Sequence, residues 1–174
     1  MQLKSRWHMA NWAVGKMNIR GSFEDMNKFV QENFIDNIII ENKDGSIKSE
    51  TKHNYELDYS FGIAEFLQKA DIRNKKSCLD ILNVGEAFPP NNIYKVNVSY
   101  NHIEDICYIS MIMSHRYDID TKAFVALSKK YNLDFNTVII DWNECFAHKL
   151  RIEKGVIIND EEIEDDDAIY FEFF

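Results

Sequence analysis

Residues 8–30, HMANWAVGKMNIRGSFEDMNKFV, contain the pattern that decides the fold. Small and apolar residues first alternate with polar ones, at the period of two that a half-buried strand shows. The inner face of this strand carries Ala13, Gly15, Met17 and Ile19. The strand ends at Gly21, and Ser22 and Asp25 then form a start signal like a capping box. Because apolar residues recur at helical spacing after it, we expect an amphipathic helix over residues 22–34.

The remaining sequence predicts a second helix and a series of antiparallel strands. This helix covers residues 118–132 and is capped by Asp118 or Asp120. Its inner face holds Phe124, Leu127 and Tyr131. Turn signals at 44–45 and 154–155 indicate hairpins. We therefore expect an α+β fold: a ferredoxin-like antiparallel sheet with two main helices on one face and additional C-terminal strands.

The length of 174 residues favours a single domain, residues 1–174. Within it we interpret residues 1–8 as an extension or a cloning remnant, 9–158 as the core, 159–167 as an acidic loop and 168–174 as a final strand. The role of residues 62–92 is left open. Three widely spaced cysteines without a CxxC pair predict reduced, mostly buried thiols, and the sequence predicts neither a metal nor a cofactor.

Composition and charge narrow the function classes. The longest apolar runs have the length of strands, which excludes a membrane-spanning helix, and the N-terminus lacks the apolar core of an export signal, so the expected location is the cytoplasm of a bacterial host cell. The net charge is −9. Residues 159–174 hold eight carboxylates and no Lys or Arg, so they account for nearly all of it. This asymmetry disfavours direct binding to nucleic acid and favours a basic protein partner.

A family resemblance rests on two stretches of the chain. The first is Met9-Ala10-Asn11-Trp12 with the strand, glycine and helix that follow; the second runs from the helix AFVALSKKYNLDF past Glu144 to the hairpin RIEKGVIINDEE. Both are similar to the Api-like family of phage and plasmid proteins, a domain of unknown function described as ferredoxin-like. The family's Trp-x-Pro-type segment is replaced here by MIMSHRYDIDT. The resemblance implies a fold and an association with mobile genetic elements, but no reaction.

The acidic run is the first candidate site. Its carboxylates are Asp160, Glu161, Glu162, Glu164, Asp165, Asp166 and Asp167. If residues 168–174 pack as a strand, these groups are held at one edge of the sheet, where they imitate a row of phosphates toward a basic protein. The alternative is a solvated acidic loop, and a calcium loop is disfavoured because the run has no central glycine.

A second candidate site is a small-ligand or catalytic site around His115, Arg116 and Glu144. His115 and Arg116 lie between a strand and a helix, a position from which side chains often reach a ligand, although they also complement the nearby aspartates. Cys145 and His148 would face opposite sides of a strand, so we expect a buried thiol and a surface histidine rather than a nucleophile and its base.

These features predict a non-enzymatic interaction protein from a phage or mobile element. Its hypothesised role is that of a counter-defence, anti-CRISPR-like inhibitor, whose acidic edge binds a host protein with a basic nucleic-acid-binding surface. The alternatives are an enzyme or small-ligand binder with the second candidate site, and a homo-oligomer, such as a dimer, that pairs exposed sheet edges.

Overall fold

The structure, a computed structural model, describes residues 12–41, 43–69, 76–81, 92–116, 119–141 and 146–164. The first elements are β1 (Trp12–Gly21), α1 (Phe23–Asn33), β2 (Phe34–Glu41), β3 (Ile47–His53), β4 (Tyr55–Ser60), β5 (Ile63–Gln68) and β6 (Lys76–Ile81). They are followed by β7 (Asn92–Asn101), β8 (Ile106–Arg116), α2 (Thr121–Tyr131), β9 (Asp134–Asp141), β10 (Phe146–Glu153) and β11 (Val156–Ile163). The predicted extension 1–8 and the predicted final strand 168–174 lie outside the described residues.

The described strands form three antiparallel groups. The largest is a six-stranded sheet with the order β11-β10-β9-β1-β8-β7. A three-stranded sheet has the order β3-β2-β6, and β4 and β5 form a separate hairpin. The prediction of an α+β fold with an antiparallel sheet and two helices is therefore confirmed. The β2–β3 hairpin agrees with the turn predicted at 44–45, but β6 was not predicted, because residues 62–92 carry too little periodicity to assign.

Both helices begin where the capping signals predict. The Ser22 side chain accepts a hydrogen bond from the Asp25 backbone N–H at 3.1 Å, and the Asp120 side chain accepts one from the Ala123 N–H at 3.0 Å. Helix α2 ends at Asn132, which adopts the left-handed conformation that terminates many helices. These contacts satisfy backbone groups that have no partner within the helix.

The two helices pack on the same face of the six-stranded sheet. Phe135 of β9 contacts Phe29 of α1 and Phe124 of α2, with ring centroids 5.7 and 5.5 Å apart. Gly15 of β1 faces this core, as the alternation predicts, and a Cβ there would overlap the backbone of Val138 and Ile139. A glycine therefore allows the central strand to lie close to β9.

A buried polar network joins the smaller groups of strands. Asp36 of β2 is 1% exposed; it accepts hydrogen bonds from the Tyr55 hydroxyl at 2.5 Å and from the Asn54 Nδ2 at 3.2 Å. Tyr55 and Phe34 belong to the same hydrophobic core as the large sheet. The network thus fixes β4 to β2 by satisfying a carboxylate that burial would otherwise destabilise.

Candidate interaction surface

The acidic run lies on the last described strand of the six-stranded sheet. Asp160, Glu161 and Glu162 belong to β11, and Glu164 follows its end. Among the described strands β11 pairs with β10 and ends the strand order, so these carboxylates occupy an edge of the described sheet. Asp165, Asp166 and Asp167 lie outside the described residues.

The prediction of a loop from residue 159 is wrong for residues 159–163. They continue β11 because the 154–155 turn sets a register in which opposite charges meet. Lys149 of β10 lies directly across from Glu161. Cross-strand complementarity therefore offsets the charge repulsion that would keep an isolated acidic run unfolded.

The strand presents its carboxylates on both faces. Glu162 lies opposite His148 and Asp160 opposite Leu150, so both share the helix-covered face, whereas Glu161 lies on the other face. Because the acidic groups point to alternate sides, they do not form a single flat array. A partner must reach both faces of the edge to contact all of them.

His148 corrects the prediction of a surface histidine. The residue is 2% exposed, and its Nε2 lies 2.6 Å from Asp160 Oδ1. This contact could not be predicted from local sequence, because it depends on the strand order and on the register of β11. Asp160 thus anchors the edge strand to the core, and the outward carboxylates are Glu161, Glu162 and Glu164.

An exposed apolar segment precedes the carboxylates on the same strand. Val156, Ile157 and Ile158 are about half exposed or more. Consecutive large apolar side chains are unusual on an edge strand, because such an edge invites pairing with another chain. We call Val156–Glu164 the acidic edge: an apolar first half followed by an acidic second half.

The second predicted site is only partly within the described residues. The backbones of His115 and Arg116 lie at the end of β8, opposite Ala13 and Trp12, while Glu144 is outside the described residues. The structure therefore does not test whether these three residues form one site.

A cavity that the sequence did not predict lies on the face of the large sheet opposite the helices, which we call the open face. It has a volume of about 350 Å³. Its polar lining consists of Asn18, Arg20, Tyr108, Asp134, Asn136, Arg151 and Glu153. These residues alternate with core residues along their strands, but only the strand order brings them together. Two guanidinium groups and two carboxylates cancel in charge, so the cavity suits a small polar ligand of no net charge.

Asp134 is the unusual group in this cavity. Its Oδ2 lies 3.8 Å from Arg20 Nη1, while its Oδ1 is buried and has no hydrogen-bond partner among the described residues. A buried carboxylate oxygen needs a donor, which solvent or a ligand must supply.

Other groups offer little chemistry. Cys107 is buried, as expected of the thiols, and burial raises its pKa to about 12, so the thiol is protonated and a poor nucleophile at neutral pH. Cys145 is outside the described residues, and so is the side chain of Cys78. In the described parts of the chain, no three His, Cys, Asp or Glu side chains are grouped to hold a metal ion. Neither described helix is long and apolar enough to cross a bilayer.

No protein-family model, curated protein sequence or solved structure matches the chain. The resemblance to the Api-like family therefore stays a prediction.

Proposed function

We propose that the chain is a non-enzymatic interaction protein that binds a basic partner through the acidic edge. One observation carries this proposal: the edge strand joins an exposed apolar segment, Val156–Ile158, to the outward carboxylates Glu161, Glu162 and Glu164. A partner strand added to this edge gains main-chain hydrogen bonds, and its side chains determine specificity. The complementary strand is apolar in one half and rich in Lys or Arg in the other.

Charge favours a different protein over a second copy of this chain. Antiparallel pairing of two β11 strands would bring the carboxylates of two acidic edges into one interface. Like charges placed together cost free energy and suppress association. Charged residues on an edge also prevent aggregation, and that alternative role predicts that neutral variants self-associate without losing any partner.

The proposal extends to the fold and the origin of the protein. The order β9-β1-β8-β7, with α1 after β1 and α2 between β8 and β9, supports a ferredoxin-like core to which β10 and β11 add an edge. Together with the resemblance to the Api-like family, this order supports the proposal that the protein comes from a phage or other mobile element of a bacterial host. There the acidic edge takes the place of nucleic acid on a host defence protein, as an anti-CRISPR-like inhibitor does.

Binding to basic host proteins tests the proposal. Proteins eluted from heparin are passed over the immobilised chain with and without competing double-stranded DNA. We expect a DNA-competed partner whose affinity falls about tenfold in E161Q/E162Q, equivalent to roughly 1.4 kcal/mol, and falls further in high salt.

The matched control is E24Q/E32Q, which removes the same charge from α1. It should bind as the wild type does. Equal binding by both double variants would reject the acidic edge, and self-association of E161Q/E162Q without any lost partner would assign its charges to protection against aggregation.

The unpartnered Asp134 Oδ1 favours a second candidate function, the binding of a small neutral polar ligand in the open-face cavity. Amide chemical-shift mapping with neutral sugars and with zwitterionic amino acids tests it. Saturable shifts around Asn18 and Asn136 that D134N abolishes would support the site, and the absence of shifts with either probe class would reject it.

A further inference from the structure

Two neighbouring turns expose large apolar side chains to solvent. Phe61, in the turn between β4 and β5, is fully exposed at 102%, and Ile63 after it is 60% exposed. Ile103, in the turn between β7 and β8, is 84% exposed. Single exposed apolar residues are common, but complete exposure of a phenylalanine forgoes one of the largest gains in free energy that burial offers.

Aromatic contacts place the two turns side by side. The Tyr59 ring lies 4.8 Å from the Tyr100 ring and 6.3 Å from the His102 ring, measured between centroids. Tyr59 lies two residues before Phe61, and His102 directly precedes Ile103. The tips therefore belong to one end of the molecule, beside β7, at the opposite edge of the large sheet from the acidic edge.

The backbone at Phe61 is strained without a packing reason. Phe61 has φ of 53° and Gly62 has φ of 81°, and a turn with two positive φ values favours Asn-Gly or Asp-Gly. No atom lies within 4 Å of a Cβ built at Gly62, so the turn stands in open space. Strain that no contact compensates is typical of positions kept for binding.

The surroundings of the tips are acidic. Residues 57–66 and 97–106 contain four carboxylates and neither Lys nor Arg. Asp58 and Glu65 lie directly opposite each other in the hairpin, an arrangement that destabilises it. Among the described residues neither forms an ion pair; Asp58 accepts a hydrogen bond from the Ser60 hydroxyl. A cation from outside would relieve this repulsion.

We propose that these residues form a second docking surface, the tip surface, made of Phe61, Ile63 and Ile103 with Asp58 and Glu65. Its occupant is a protein with an apolar pocket that receives Phe61 and a rim of Lys or Arg that meets Asp58 and Glu65. The acidic surroundings disfavour an anionic membrane, because its negative surface potential repels carboxylates. This proposal does not depend on the acidic edge, which lies elsewhere on the sheet.

Stability of F61N gives the first test and needs no partner. Asn tolerates positive φ better than Phe does, so a residue kept only for docking can be replaced without loss. We expect a urea midpoint equal to or above that of the wild type. A clear decrease would show that Phe61 stabilises the fold and would overturn the proposal.

Photo-crosslinking gives the second test. A benzophenone side chain at position 61 is exposed to host lysate, and the same probe at Lys122, an exposed residue of α2, is the control. Support requires a product absent at position 122, mapped to an apolar pocket with Lys or Arg at its rim. The purified partner should then bind F61N at least tenfold more weakly, and D58N/E65Q should lower the salt dependence of binding.

Products that are equal at both positions, or a mapped site without cations, would overturn the proposal. So would flotation of the wild type, but not F61N, with vesicles of phosphatidylserine and phosphatidylcholine, which would assign the tips to a membrane.

Discussion

Hairpins β4–β5 and β10–β11 both turn through two residues with positive φ, Phe61–Gly62 in one and Lys154–Gly155 in the other. In β10–β11 the turn is fixed to α2. The Gly155 N–H donates to the Ser128 hydroxyl at 2.7 Å, and the Lys154 N–H donates to the Leu133 carbonyl at 3.3 Å. The other turn stands in open space. The same backbone geometry thus packs against α2 in one hairpin, whereas in the other it leaves the Phe61 side chain exposed to solvent.

The two turns also support the two proposed surfaces in different ways. The packed turn sets the register that holds the acidic edge against β10, so that surface needs an intact core. The exposed turn contributes only its own side chains to the tip surface. Damage to the packed turn should therefore reach both the fold and the acidic edge, whereas damage to the exposed turn should stay local.

Alanine at the two turn glycines should give the largest difference. A Cβ at Gly155 would lie 2.7 Å from Lys129 Cβ, and Gly155→Ala combines this overlap with a strained φ, which should cost roughly 2–4 kcal/mol of unfolding free energy. Gly62→Ala carries only the strain, about 1 kcal/mol. Urea unfolding measures both, and equal losses would contradict the difference in packing.

Ser128 offers a smaller perturbation of the packed turn. Its buried hydroxyl donates to the Leu133 carbonyl at 2.5 Å and accepts from the Gly155 N–H. Ser128→Ala leaves that N–H without its acceptor and should cost about 1–3 kcal/mol. Ser60→Ala, beside the exposed turn, is the matched control and should change stability by less than about 0.5 kcal/mol. A loss in Ser60→Ala as large as that in Ser128→Ala would show that both turns are packed.

Much of the fold followed from local signals. The alternation in β1, the caps at Ser22 and Asp120, and the turns at 44–45 and 154–155 each depend on residues close in sequence, so the pattern sufficed. The strands of residues 63–81 were not assigned, because their short apolar runs carry no clear period. The turn at Phe61–Gly62 was missed because Phe is not a residue that marks such a turn.

The candidate surfaces were harder to predict because they depend on strand order. The acidic residues were recognised from composition alone, but their strand conformation and the contact between His148 and Asp160 required the register of β11. The open-face cavity collects residues from β1, β8, β9 and β10, which are far apart in sequence. A charge run is visible in a sequence, whereas a site assembled across strands is not.

Cys107 tests whether the core near the exposed turns is closed to water. Its buried thiol lies at the start of β8, close to the turn that carries Ile103. Burial, followed by the nearby charge of Asp105, raises the thiol pKa from 9 to about 12. Folding therefore favours the protonated thiol. Its contribution to the free energy of unfolding is fully present below pH 9 and is lost as the pH rises toward 12. In this window the group should reduce the unfolding free energy by about 1.4 kcal/mol per pH unit.

Cys107→Ala isolates this dependence from the tyrosines and lysines that titrate in the same range. The wild type should lose more stability than the variant between pH 9 and pH 10.5, as measured by urea unfolding at each pH. Parallel curves would mean that Cys107 is already reached by water, and hence that the end of the molecule with the exposed turn opens in the native state. Diverging curves would confine the lack of packing to the turn itself, because the core around Cys107 would then be closed to water.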